Sequence, residues 1–201
     1  MIKPIVFDID NTLIVGHTNG NYLPHMNYLF GDEARRIQII KHIHLLHQND
    51  FKIIFLTRGN YINSINLLQD FFQDMDTIVN IDFDSLKAPL FSSSMTPDNL
   101  RHNISLLINQ NYTEQFDNQL LSLTYLNIRQ HNWHIIKSQF LTLIFNLGQP
   151  NIIYFFDDTP NNIIQAQQTL QNNIQTFLVS NYNHLYELSY LLKELILSLN
   201  L

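Results

Sequence analysis

The chain has 201 residues, 45% of them apolar, no cysteine and a formal net charge of −6. That length supports one substantial core and is short for two, so a single domain over residues 1–201 is expected. Lack of cysteine excludes disulfides, thiolate nucleophiles and zinc–cysteine sites, and the acidic balance argues against a nucleic-acid partner.

The first apolar run, Ile5 to Ile9, reads as a strand, and Asp8 interrupts it too early for a signal-peptide core or a membrane span. A chain with no membrane segment and no cleavable signal is expected; the cytoplasm is the default compartment, with signal-less export left open. Residues 13–31 leave room for a hairpin-like flap. Asp32 can cap a helix running to about Gln48, followed by a strand over Phe51 to Leu56. Asn60 can cap the next helix, which carries Ile62, Ile65, Leu68 and Phe72 on one face. Thr77 to Phe83 reads as a third strand. Residues 84–131 open with the Ser/Pro-rich "DSLKAPLFSSSMTPDNL" and continue as two helices, the first starting at Thr96–Pro97 with Leu100, Ile104 and Leu107 on one face. This stretch reads as a helical insertion facing the substrate. Beyond it come a helix with Phe140, Leu141, Ile144 and Leu147 that stops at Gly148, and strands over Ile152 to Phe156 and Gln175 to Val179. Helices from about Asn161 and Asn181 complete the pattern. The strands mostly lack alternation, as expected when both faces are buried, which gives an α/β fold with a mainly parallel sheet and helices on both faces.

Three polar clusters sit at strand ends: Asp8-Ile9-Asp10-Asn11-Thr12, Thr57 in "LTRGN", and Asp157 and Asp158 in "FFDDTPNN". In open α/β sheets ligands bind outside the carboxyl ends of the strands, so these loops should converge. Four carboxylates at one sheet edge repel one another unless a hard cation compensates them, and oxygen-only ligands favour Mg²⁺. Of the two lysines between Thr57 and Asp157, Lys87 and Lys137, the second is better placed, at the start of the helix that precedes the fourth strand. Arg58 reads equally as a phosphate contact or a solvent-exposed side chain. His42, His44 and His47 do not share a helix face and are expected at a solvated or core-edge position, not on a metal. His131 and His134, beside Trp133, read as packing or cleft-lining residues. Phe71, Phe72, Phe140 and Phe145 read as core.

The ordered set "DIDNT", "LTRGN", Lys137 and "FFDD" resembles the four sequential motifs of the haloacid dehalogenase (HAD) superfamily, over about residues 5 to 162. The resemblance implies a Rossmann-like core with Asp8 as a nucleophile that forms an aspartyl-phosphate. Asp10 would be the acid for the leaving group and then the base for water. Thr57 and Lys137 would hold the phosphoryl oxygens. Asp8, the Asp10 carbonyl and Asp157 would ligate Mg²⁺, with Asp158 behind them or among them. Asp rather than Ser at position 10 favours phosphate hydrolysis over dehalogenation.

With no room for a large cap after the first motif and a modest insertion later, the cleft resembles that of minimally capped members, which implies a phosphate carried on something large, such as a phosphoprotein. A phosphotyrosine would suit a cleft flanked by Tyr61, Phe91 or Trp133. The alternatives are a small-metabolite or nucleotide phosphatase, and a phospho-accepting or binding module without turnover. The oligomeric state is not legible.

Overall fold

The computed structural model describes residues 2–18, 21–59, 65–92, 95–108 and 133–201. Five strands form one all-parallel sheet: β1 (Lys3–Phe7), β2 (Phe51–Thr57), β3 (Leu90–Ser92), β4 (Ile153–Asp157) and β5 (Ile174–Leu178), in the order β3-β2-β1-β4-β5. Along β1, Ile5 and Phe7 point into one core and Val6 into the other; along β2, Ile53 and Phe55 oppose Ile54 and Leu56 in the same way. The apolar side chains of both faces find an apolar layer, which is why these runs lack a polar face.

The helices supply those layers. On one face lie α1 (Glu33–Gln48), α2 (Ile65–Phe71), α3 (Met75–Val79) and the last helix, α7 (Leu188–Ser198). Asp32 caps α1 by accepting from the Arg35 amide at 2.7 Å, and Leu188, Leu192, Leu195 and Ile196 bury the inner stripe of α7. The other face carries α4 (Pro97–Ile108), α5 (Trp133–Gly148) and α6 (Pro160–Leu170). Among the described residues no helix is long and apolar enough to cross a membrane.

Four expectations from the sequence need correction. The stretch 77–83 is not a strand: α3 ends in left-handed Asn80, and Phe83–Leu86 forms a 3-10 turn capped by Asp82. The third strand is Leu90–Ser92, an edge strand of three residues inside the Ser/Pro-rich stretch, where the Pro89 carbonyl accepts from the Phe55 amide at 2.9 Å. Pro is tolerated there because only one side of an edge strand is paired. With β3 in the sheet and Leu100, Ile104 and Leu107 of α4 in its core, residues 84–108 are an integral part of the α/β unit, not an insertion. The second expected helix of that stretch lies outside the described residues. Residues 24–30 form a 3-10 segment whose Leu29 and Phe30 pack into the core, in place of a hairpin-like flap. The last helix starts at Leu188 rather than near Asn181, because Glu187 accepts from the Ser189 amide at 2.7 Å and fixes its N-terminus there. Asn60 and Ile62 lie outside the described residues.

Candidate active site

Strand order reverses at β1: β2 and β3 extend the sheet one way, β4 and β5 the other. Beyond the carboxyl ends of such a junction a crevice opens. Asp8 follows β1 directly, and its amide donates to the Phe156 carbonyl at 2.9 Å, continuing the β1–β4 pairing by one residue. Next comes a single wide turn over Ile9–Leu13, closed by the Ile14 amide donating to the Ile9 carbonyl at 3.1 Å, with Asn11 left-handed at φ 54°. Asn tolerates this conformation better than most residues, since its short polar side chain bonds locally.

Lys137, the fifth residue of α5, is only 1% exposed. Helical side chains lean toward the N-terminus, and here that carries the ammonium to the sheet edge. It donates to Asp8 Oδ1 at 2.8 Å and to Asp157 Oδ2 at 2.5 Å. Asp157 ends β4, wholly buried, and its Oδ1 also accepts from the Thr159 amide at 2.9 Å and from Asn162 Nδ2 at 2.8 Å. Asp158 lines the cleft and accepts from Asn11 Nδ2 and Thr159 Oγ1, each at 3.1 Å. Asp10 Oδ1 accepts from the Thr18 amide at 2.8 Å. Thr57, the last residue of β2, is buried and accepts from the Gly59 amide at 3.2 Å.

Asp8, Asp10, Thr57, Arg58, Lys137 and Asp158 thus share one cleft of about 650 Å³, with Asp157 behind its wall. Trp133, His134 and His17 line the same cleft. Phe91, an expected flank, is fully buried, 5.5 Å from the Phe140 ring, and is core; Tyr61 and His131 lie outside the described residues. Lys87 lines a separate groove beside β3 and α4.

The electrostatics are those of crowded carboxylates. Burial pushes the Asp8 carboxyl up to about 8 against the pull of Lys137, with Asp157 and Asp158 adding to the rise. Burial also opposes the Lys137 charge, but Asp157 and Asp8 outweigh it and raise its pKa. Asp8, Asp157 and Asp158 each bring a carboxylate oxygen within 4.8 Å of the others. Three carboxylates around one buried ammonium leave excess negative charge, and an all-oxygen donor set fits a small hard cation. Because Asp157 Oδ1 already holds two N–H donors, Asp8 and Asp158 have the more open oxygens for such an ion.

Sequence reasoning missed the braces of this site. Asn162 holds Asp157, Asn11 joins Asp158 to His17, and Arg35 and Asn181 grip the turn after β1, with Glu187 holding Arg35. The turn-prone Asn11 was a local signal; the others act across the tertiary fold and leave no pattern in the chain. Comparison with protein-family models and with curated proteins gives no match.

Proposed function

We propose that this chain is a Mg²⁺-dependent phosphoric monoester hydrolase of the haloacid dehalogenase type, working through a phosphoryl group carried on Asp8. The observation that carries the reading is the buried Lys137 held between Asp8 and Asp157 at the carboxyl ends of β1 and β4, in one cleft with Asp10 and Thr57. Asp8 and Asp158, with Asp157 behind them, would hold the cation, which when bound supplies charge neutralisation at the carboxylates and polarisation of the phosphoryl oxygens.

The residues of the chain divide the work. Lys137 fixes Asp8 through Oδ1, leaving Oδ2 as the attacking atom, and the Thr57 hydroxyl and Lys137 offer donors where charge collects on the equatorial oxygens. Asp8 Oδ2 forms the new bond to phosphorus as the ester P–O bond breaks, and the departing oxygen takes a proton from Asp10. Water then attacks phosphorus and gives a proton to Asp10, inorganic phosphate leaves, and the Asp8 carboxylate is restored. Asp10 stands two residues beyond Asp8 because the turn places the second carboxylate past the end of the strand.

As substrate we propose a phosphomonoester on a large carrier, a phosphoprotein with phosphotyrosine foremost. Trp133 supplies an aromatic wall, and Arg58, His17 and His134 line the same cleft. Phosphate release from aryl phosphate, phosphotyrosine, phosphoserine and mononucleotide panels, in Mg²⁺ or EDTA, tests both levels. Mg²⁺-dependent release lost in Asp8→Asn is expected; release that survives Asp8→Asn overturns the mechanism. Preference for a mononucleotide replaces the phosphoprotein assignment, and a phosphoryl group that stays on Asp8 makes the chain a phospho-accepting module instead.

A further inference from the structure

The turn Ile9–Leu13 carries Asp10 and Asn11, yet hydrogen bonds within it leave several of its carbonyls without a helical partner. These carbonyls are taken up from distant parts of the chain. All five N–H donors of Arg35 are engaged: Nε to Glu187 at 2.5 Å, one terminal nitrogen to the Leu13 and Phe30 carbonyls at 2.9 and 3.0 Å, the other to the Thr12 carbonyl at 3.2 Å and to Asn181 Oδ1 at 3.5 Å. Asn181 Nδ2 spans the turn from outside, donating to the Asn11 carbonyl at 2.7 Å and the Ile14 carbonyl at 3.1 Å. Glu187 orients Arg35 with one oxygen and caps α7 with the other.

We infer that Arg35 and Asn181 are positioning residues for the reaction, clamping the turn after β1 so that Asp10 faces the cleft and Asn11 keeps its bond to Asp158. The catalytic half of this inference rests on the proposed phosphatase; the clamp itself does not. The alternative, a buried arginine that only saturates loop carbonyls, predicts a loss of stability spread over the whole fold. A clamp predicts a local loss, because the hydrogen bonds from Asn181 toward the site run to the turn, and from there through Asn11 to Asp158. Lysine cannot substitute for Arg35, since three donors on a flexible stem do not reproduce a planar fork with five.

The test uses Asn181→Asp, which keeps the size and the oxygen but removes the donor, and Arg35→Lys, which keeps the charge. Asn181→Asp is the milder change and keeps the test open if Arg35→Lys fails to fold. In Asn181→Asp, amide hydrogen exchange over 9–16 should rise while β4 stays protected. Calorimetric affinity for Mg²⁺ alone should fall about 10-fold or more, and kcat by a similar factor with KM nearly unchanged. Unchanged exchange in the turn, or a rise equal to that in β4, overturns the clamp. If the wild type releases no phosphate, the phosphatase reading falls, and the exchange pattern still decides the clamp.

Discussion

Replacing Lys137 by methionine removes the ammonium while nearly preserving the shape of a side chain that is 1% exposed. It strands Asp8 and Asp157, 6% and 0% exposed, beside each other and beside Asp158. Breaking a buried ion pair by removing one partner costs about 3–5 kcal/mol. Asp8, whose carboxyl is already pushed up to about 8 by burial, can take a proton and relieve one of the two orphaned charges, which favours the lower end. About 3 kcal/mol at roughly 2–4 °C per kcal/mol for a chain of this size gives a fall of about 6–12 °C in Tm. Thermal unfolding followed by circular dichroism in EDTA at neutral pH measures it. Mg²⁺ should then raise Tm more in the variant than in the wild type, because no ammonium competes with it for the Asp8 and Asp157 oxygens. Adding Asp8→Asn should recover part of the loss, with a coupling above about 1 kcal/mol. A fall of under about 2 °C would show that the ammonium does not neutralise these carboxylates, and the electrostatic account of the site would be wrong.

Three other outcomes are expected. Burial, with help from Lys193 and against Glu187, lowers His42 below its ordinary value of 6.5. The unfolded chain therefore takes up this proton before the folded one does. The stability contributed by neutral His42 is present above about 6.5 and lost as pH falls through the lower folded value. Denaturant midpoints from pH 8 to 5 should fall less for His42→Gln than for the wild type, and parallel curves would refute this. Arg36 pairs with Glu33 and Asp74, but these are 67% and 50% exposed, so each pair contributes under about 1 kcal/mol. The buried bond from Arg36 to the Phe71 carbonyl at 3.0 Å decides the size of the effect, and Arg36→Met should cost about 2 kcal/mol in urea unfolding; no measurable loss would contradict this. On the proposed mechanism Asp10→Asn slows turnover by about 10²–10⁴ for alkyl phosphates and by less for a nitrophenyl ester, whose leaving group needs no proton. Equal losses on both substrates would remove Asp10 from the role of acid.

Four of the five strands were legible because β1, β2, β4 and β5 are apolar runs bounded by clear breaks, and the structure shifts their ends by only one or two residues. The fifth was not, because β3 spans only three residues, between Pro89 and the rest of a serine run, and its place is set by tertiary contacts: pairing with β2, the bond from the Leu90 amide to Asn103 and packing of Phe91 on Phe140. The β-branched residues Thr77, Ile78 and Val79, which suggested a strand, lie in α3, where packing on α1 overrides propensity. Asp8, Thr57, Asp157 and Asp158 could be found because strand ends are visible in a sequence. Lys137 was found by elimination, and its burial between two carboxylates was not visible. Arg35 and Asn181 were hidden for a geometric reason: they grip backbone carbonyls, and any residue at positions 11 to 14, proline included, would present the same oxygens.

The sheet order has a consequence for how the molecule assembles. β1 is central, yet its partners come from far apart in the chain: Asn11 meets Asp158 across 147 residues and Asn181 across 170. Contacts of that span close late, so β1 pairs with β2 while its other edge still waits for β4. On that order the mutually repelling carboxylates should meet late in folding, together with Lys137. Until β4 pairs, the apolar β1 presents a row of unpaired amides and carbonyls on that edge, which is where misassembly between chains should begin.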